Sequence, residues 1–370
     1  MDADLNSVYL QVMQANHPED LFGCEDVVLP EATLLKYLEV EYKKFKTLTT
    51  PSSYHDPLDA EAAADADAKL EELYSLARAR IRQHVYGIEG RGRRHPPYAS
   101  KSFSVAANRY FIGNLIRGGA VSNLYEGFME RDGLSVGEVV IKVAKDTSCN
   151  PSMQQEMRNL DLLHEVPVPQ WKHLPFIMDR FQSGGRLGLV YRRISGFSLT
   201  QVRAHPTHVK GVDRKHIVWM LDRAFSCLGY VHSLGLVHGN LCPEHFIVQP
   251  ASHNVIICGW KSAVHKPAVT NEKINLPPDM FMAPEVAAGG KIGPWSDIYS
   301  LGKLMIWTLG GDPATNSLPA SVEEPLRLFL LSLVEENYLV RPADAWSLYE
   351  QQCQIKDSLW PRKFLHFDMA

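Results

Sequence analysis

Residues 282–285 read Met-Ala-Pro-Glu, residues 295–302 read Trp-Ser-Asp-Ile-Tyr-Ser-Leu-Gly, and Arg341-Pro342 follows further along the chain. Strand-like segments lie before them, closely spaced at residues 110–116, 123–130 and 136–143. Helix-like patterns dominate from Ser152 and especially from Val212. Strands followed by helices predict an α+β domain in two lobes, one small and β-rich and one large and helical.

From about Tyr110 to Gln354 the sequence resembles the eukaryotic-type protein kinase family, whose landmarks occur here in the required order. The Ala-Pro-Glu run with Glu285, the helix signature around Asp297 and the late Arg341 carry the resemblance. It implies that Glu285 and Arg341 form a buried bidentate pair, and that Asp297 accepts backbone N–H bonds from the catalytic loop. These are scaffold roles, so they argue for the fold and not for activity.

The nucleotide side of the family pattern is partly kept. Residues 138–142, Glu-Val-Val-Ile-Lys, are similar to the strand motif whose lysine reaches the α and β phosphates, so Lys142 is the match. Glu156 lies in a helical pattern further on, where the family has the glutamate that holds this lysine. Residues 189–199 resemble the hinge, which makes Tyr191 the gatekeeper and Tyr191 and Arg193 candidate nucleotide-binding residues.

The catalytic loop of the family, His-Arg-Asp-Leu-Lys-Pro-Glu-Asn, is matched by His-Gly-Asn-Leu-Cys-Pro-Glu-His at residues 238–245. Asn240 stands in place of the catalytic aspartate, and its neutral amide cannot accept the proton of the substrate hydroxyl. Cys242 replaces the loop lysine, and His245 replaces an asparagine that binds magnesium, although this hard cation prefers oxygen ligands. For His238 the resemblance implies a structural role, with a buried imidazole bonded to backbone.

The family's metal-binding Asp-Phe-Gly motif should fall within residues 255–263, Val-Ile-Ile-Cys-Gly-Trp-Lys-Ser-Ala. Aligning Trp260 with the phenylalanine puts Gly259 at the aspartate position, and a shift of one residue puts Cys258 there. Neither register supplies a carboxylate, so magnesium binding should be absent or weak.

The glycine loop at residues 116–125 is also degraded, since only Gly119 holds one of the three glycine positions. A side chain hinders the close approach of backbone N–H groups to phosphate, but Arg117 could contact phosphate directly. We therefore expect ATP as a possible ligand, with Arg117 and Lys261 as further candidate contacts.

The family's loop arginine, which often gathers an activation-loop phosphate, is Gly239 here. The segment 262–280 offers only Ser262 and Thr270 as acceptors. The sequence therefore predicts no ordering of this segment by phosphorylation.

Together these residues predict a pseudokinase that regulates or scaffolds a protein partner, such as an active kinase or a chaperone. One alternative is a divergent active Ser/Thr protein kinase in which Lys261 or Arg117 replaces the metal charge and Glu244 or His245 acts as the base. Another is a small-molecule kinase, because the His-Gly-Asn-Leu-Cys-Pro run followed by a tryptophan resembles aminoglycoside and choline phosphotransferases. A third is a binding scaffold that takes no nucleotide.

The predicted domains are a helical module at 1–96, a linker at 97–109, the kinase-like domain at 110–355 and a tail at 356–370. Apolar periodicity at 33–45 and 58–85 predicts a helical hairpin in the module. Its two helices and loop are similar to degenerate J-like domains, which engage a chaperone ATPase through a His-Pro-Asp tripeptide. Here the loop reads His55-Asp56-Pro57, in a different order.

Composition excludes several classes of function. A formal net charge of -4 and a pI near 6.4 give no basic excess, so neither nucleic acid nor an anionic membrane is expected as a partner. The six scattered cysteines lack metal-ligand spacing, and no long apolar run suggests a membrane span. These features favour a cytoplasmic protein with reduced thiols.

Overall fold

The computed structural model describes residues 3–15, 17–23, 31–82, 86, 101–131, 134–250, 252–360 and 367–369. The chain divides into two compact units. The first comprises Met1–Arg117, Leu124–Ile141 and Val190–Arg193, and the second comprises Gly118–Asn123, Lys142–Leu189 and Ile194–Ala370.

The N-terminal module is helical, as predicted. Its helices are α1 (Ala3–Gln14), α2 (Pro18–Phe22), α3 (Glu31–Thr49) and α4 (Pro57–Arg82). Helices α3 and α4 form the predicted hairpin, and buried side chains such as Phe22, Leu38 and Leu70 fill its core. The sequence did not predict α1 and α2. Residues 83–85, which the prediction included in the second helix, lie outside the described residues.

Polar contacts also fix the hairpin. The Lys46 ammonium on α3 lies 2.7 Å from Asp67 and 2.8 Å from Glu71 on α4, and these bonds raise the pKa of Lys46. In the connection before α4, His55 and Asp56 are exposed, and the Asp56 carboxylate accepts the N–H of Asp59 at 3.4 Å. The tripeptide His55-Asp56-Pro57 therefore leads directly into α4, which begins at Pro57.

The β-rich part is one six-stranded sheet of order β1-β2-β3-β4-β6-β5. Its strands are β1 (Ser102–Val105), β2 (Asn108–Gly118), β3 (Ser122–Arg131), β4 (Leu134–Ala144), β5 (Ile177–Ser183) and β6 (Arg186–Arg192). The three strands predicted from the sequence correspond to β2, β3 and β4. Strand β1 was not predicted: it lies inside the segment 97–109 and pairs antiparallel with β2, with Ser102 opposite Phe111.

The remaining elements belong mainly to the helical part, as the α+β prediction requires. The helices are α5 (Asn150–Leu163), α6 (Leu199–Ala204), α7 (Arg214–Ser233), α8 (Pro267–Thr270), α9 (Pro284–Ala287), α10 (Pro294–Thr308), α11 (Glu324–Leu333) and α12 (Ala345–Leu359). The short strands are β7 (Phe197–Ser198), β8 (Leu236–Val237), β9 (Phe246–Gln249), β10 (Asn254–Ile257) and β11 (Val264–His265). Helices α7 and α10 are buried around most of their circumference, because apolar residues lie on nearly every face.

The pairing of β9 with β10 positions the candidate site. These strands are antiparallel, with Phe246 opposite Ile257. His245, which precedes β9, and Cys258, which follows β10, are therefore neighbours, and the Cys258 N–H donates to the His245 carbonyl at 2.7 Å. The hairpin thus brings together two loops that the sequence separates.

At the C-terminus, Phe367 is buried and stacks on His208, with ring centroids 4.8 Å apart. The side chain of Phe367 thus packs against the segment around His208. Across the described residues, no helix combines the length and the apolarity needed to span a bilayer.

Candidate functional site

Lys142 on β4 and Glu156 on α5 form a buried ion pair between Nζ and Oε2. Glu156 belongs to the buried face of α5, which also presents Met153, Leu160 and Leu163. This spacing of three and four residues places the carboxylate on the face of the helix that packs inward. The structure therefore joins the two residues that the nucleotide motif predicts.

Asn159 secures the neighbouring loop to the same face of α5. It lies three residues after Glu156, is buried, and donates its side-chain amide to the carbonyls of Trp260 at 2.7 Å and Ala263 at 3.0 Å. These bonds fix the short 3₁₀ turn Trp260–Ser262 beside the Lys142–Glu156 pair. Sequence reasoning missed Asn159, although its helical spacing from Glu156 was a usable signal.

Asp297 on α10 holds the loop at residues 238–245. Its carboxylate accepts the backbone N–H groups of His238 and Gly239, both at 2.8 Å, and contacts His232 Nε2 at 2.9 Å. Burial opposes ionisation of Asp297, but these bonds and the nearby histidines outweigh it and lower its pKa. His232 was not identified from the sequence.

His238 links this loop to the segment after β10. Burial lowers the pKa of His238, so its imidazole is neutral near pH 7. Nδ1 accepts the backbone N–H of Asn240 at 3.2 Å, and Nε2 donates to the Cys258 carbonyl at 2.8 Å. The ring therefore has the backbone-bonded, structural position that the resemblance implies.

His245 fills the space beside Gly259. Burial lowers the pKa of His245 to about 4, and its Nδ1 donates to the Asn240 carbonyl at 2.9 Å. Gly259 has φ +88, and a Cβ at this residue would lie 2.6 Å from three atoms of the His245 ring. Real Cβ atoms do not come this close to other atoms, so no side chain fits at position 259 while this ring is in place.

Lys261 lies in the turn after Gly259 and is half-buried. Burial and the nearby Lys142 ammonium lower its pKa, whereas Glu156 raises it. Among the described residues, no hydrogen bond or ion pair engages the Lys261 ammonium. The structure thus places a second lysine near the Lys142–Glu156 pair.

The remaining side chains here are poor ligands for magnesium. Burial raises the pKa of both Cys242 and Cys258 to about 12, so both are neutral thiols. Asn240 is neutral, and its backbone carbonyl accepts the bond from His245. Within the described ranges, no three or more His, Cys, Asp or Glu side chains are arranged to hold a metal. The donor set therefore does not fit a hard divalent cation.

Gly119 forms the tight turn between β2 and β3. Its N–H donates to the Ser122 carbonyl at 2.8 Å, and a Cβ would lie 3.0 Å from that oxygen. In the other unit, Arg117 is exposed on β2 and Tyr191 is buried on β6. Arg193 lies 3.6 Å from Glu126 and 3.3 Å from Glu138, so these acids already engage its guanidinium.

Glu285 and Arg341 form a bidentate pair with distances of 2.8 and 3.2 Å. Both side chains are buried, and the Ser296 hydroxyl donates to the same Glu285 carboxylate at 2.8 Å. The Arg341 guanidinium also lies over the Tyr299 ring, 4.5 Å from its centroid. This cluster fixes Pro284–Ala287 to the helical part.

The segment between β11 and α9 packs through an apolar contact at Gly239. Gly239 has φ +70, and a Cβ there would lie 2.2 Å from the Ile274 side chain. Ile274 belongs to a buried cluster with Val264, Val286 and Tyr299. An isoleucine therefore occupies the position where an arginine side chain at 239 would begin.

Residues 112–328, more than half of the chain, match the family model described as protein tyrosine and serine/threonine kinase. The chain belongs to this protein kinase family. It is similar to the serine/threonine-protein kinase PknA of Mycobacterium tuberculosis, with 25% identity over 200 residues, covering 53% of this chain and 45% of PknA. It is also similar to the serine/threonine-protein kinase PAK mbt of Drosophila melanogaster, with 24% identity over 188 residues, covering 48% of this chain and 29% of that protein.

The matched region thus spans less than half the length of these curated relatives. Membership of the kinase family accounts for the fold, and the matched residues include Lys142, Glu156 and Glu285. It leaves the reaction to be argued from the site itself.

Proposed function

We propose that this kinase-family chain is a pseudokinase, which binds ATP through Lys142 and regulates or scaffolds a protein partner without efficient phosphotransfer. The partner is an active kinase or, through the N-terminal module, a chaperone. The observation that carries this proposal is the packing of His245 against Gly259, which leaves no room for a carboxylate at position 259.

The chemistry supports the same reading. Phosphoryl transfer needs a group that accepts the hydroxyl proton and positive charge that neutralises the phosphate oxygens in the transition state. Asn240 cannot accept the proton, and the neutral Cys242 thiol supplies no charge. His245 is a neutral, buried imidazole whose Nδ1 already donates to backbone. Three residues therefore fail to supply the functions that transfer requires.

The retained pair supports nucleotide binding. In a buried ion pair the Lys142 ammonium is held in one place by Glu156, so little conformational entropy is lost when it contacts phosphate. Glu285, Arg341 and Asp297 hold the surrounding scaffold without taking part in chemistry. The chain thus keeps residues that would position ATP and lacks residues that would transfer its γ-phosphate.

A labelled-ATP assay tests the absence of transfer. The full chain is incubated with ATP carrying a labelled γ-phosphate, magnesium or manganese, and a general protein acceptor. Lys142→Ala, purified in parallel, sets the background from contaminating kinases. We expect equal incorporation for the two proteins, whereas transfer that depends on Lys142 would overturn the proposal and favour the divergent active kinase.

A further inference from the structure

The groups around Lys142 carry an excess of positive charge. Among the described charged groups that act on Lys261, Lys142 adds a second ammonium and Glu156 supplies one carboxylate. The side chains of His245, Cys242 and Cys258 are neutral at pH 7. The next carboxylate along the loop, that of Glu244, accepts a bond from the Thr200 hydroxyl at 3.1 Å.

Lys261 is held in place by its backbone. The two Asn159 bonds clamp the carbonyls on either side of the turn that carries it, and Trp260 is fully buried beneath. Asn159 lies about one helical turn after Glu156, so the turn that carries Lys261 is bonded to the face of α5 that also holds the Lys142–Glu156 pair, and burial together with the Lys142 ammonium lowers the pKa of Lys261. Two like charges held near each other in a half-buried place favour an anion bound to both.

The same positive charges disfavour a divalent cation. It would be repelled by both ammonium groups, and the nearest side chains offer neutral nitrogen and sulfur in place of charged oxygen. The one carboxylate of the pair is already bonded to Lys142. Across the described part of the chain, the side chains near Lys142 and Lys261 therefore suit an anion better than a divalent cation.

We propose that Lys142 and Lys261 bind the phosphate chain of a nucleotide that carries no divalent metal, so that magnesium weakens binding. This inference rests on the proposed function, because it specifies the form of ATP that the pseudokinase takes. Its ligand chemistry is a metal-free di- or triphosphate chain, which a nucleotide or an inorganic polyphosphate could supply.

Calorimetric titration of the full chain tests this inference. ATP is titrated first in EDTA and then in excess magnesium. We expect binding in EDTA that magnesium weakens by about tenfold, because the metal complex has two fewer negative charges to meet the lysines. Lys261→Met should weaken binding in EDTA by about tenfold or more, since it removes a charged contact to phosphate.

Two further variants separate charge from folding. Lys261→Arg keeps the charge and should retain most of the binding, and the exposed Lys291→Met removes one lysine elsewhere in the same unit and should leave binding unchanged. Thermal midpoints of all variants establish that they are folded. Equal loss in Lys261→Met and Lys291→Met would overturn the assignment of the site to Lys261.

A comparison of ATP with tripolyphosphate completes the test. Tighter binding of ATP than of tripolyphosphate identifies a nucleotide site, and equal binding identifies a polyphosphate site of the same chemistry. Binding that requires magnesium, or no binding of either compound at millimolar concentration, overturns the inference. Binding that requires magnesium overturns this inference and leaves the proposed ATP binding standing, whereas no binding overturns both; the labelled-ATP assay measures phosphotransfer separately.

Discussion

Replacing Gly259 with alanine tests the packing that supports the absence of a metal ligand. The new Cβ would lie 2.6 Å from three atoms of the His245 ring, and the residue would keep φ near +88. The left-handed backbone costs a residue with a Cβ roughly 1–2 kcal/mol. Forcing an extra carbon into a packed interior adds about 1–3 kcal/mol. We therefore expect Gly259→Ala to lower the free energy of unfolding by about 2–5 kcal/mol.

Two comparisons isolate the contribution of the ring. Gly184 has φ +56 and no atom within 4 Å of a Cβ, so Gly184→Ala measures the backbone cost alone, about 1–2 kcal/mol. Combining Gly259→Ala with His245→Ala removes the clash, and the double variant should be more stable than the sum of the single effects by about 1–3 kcal/mol.

Urea unfolding of the full chain, followed by tryptophan fluorescence, supplies these free energies. Trp260, one residue from the substitution, is fully buried and reports on this part of the second unit. Equal losses for Gly259→Ala and Gly184→Ala, together with additivity in the double variant, would refute the argument that His245 excludes a side chain at position 259.

Three other predictions concern Arg341, Gly239 and His245. Arg341→Ala leaves the buried Glu285 charge unpaired and should lower the free energy of unfolding in urea by about 3–5 kcal/mol. Lys43→Ala breaks an exposed ion pair and should leave the free energy of unfolding unchanged. Equal effects of the two substitutions would contradict this prediction. Gly239→Arg drives a Cβ into Ile274 and should speed proteolytic cleavage within residues 264–283, and an unchanged cleavage rate would count against an apolar anchor for this segment. Because burial lowers the pKa of His245 from 6.5 to about 4, the unfolded chain binds its proton first as the pH falls. The stability that neutral His245 contributes is complete above pH 6.5 and declines toward pH 4 by on the order of 1 kcal/mol per unit, so His245→Gln should show a shallower decline over this range.

Much of the fold could be predicted from sequence. The strands before helices, the two-helix hairpin and the kinase landmarks all depend on local pattern or on motif order, and both are readable along one chain. Strand β1 and helices α1 and α2 were missed. Strand β1 is only four residues long and pairs with β2 inside a segment interpreted as a linker.

The candidate site was predicted in part. Lys142, Glu156, Glu285, Asp297 and Arg341 were found because each belongs to a motif with its own sequence neighbours. Asn159 and His232 were missed, because their partners lie 101 and 65 residues away and only folding brings them together. Arg193 lies beside Glu126 and Glu138 of the sheet, and its contact with nucleotide stays a prediction.

The sequence by itself determined which chemical groups are missing, because the identity of the residue in each motif position can be read directly. Only the tertiary structure decided what stands in their place. The antiparallel pairing of β9 and β10 brings His245 against Gly259, and the Asn159 bonds bring Lys261 toward Lys142. Steric exclusion and charge repulsion act over a few ångströms in space, and residues separated along the chain acquire such neighbours only when it folds.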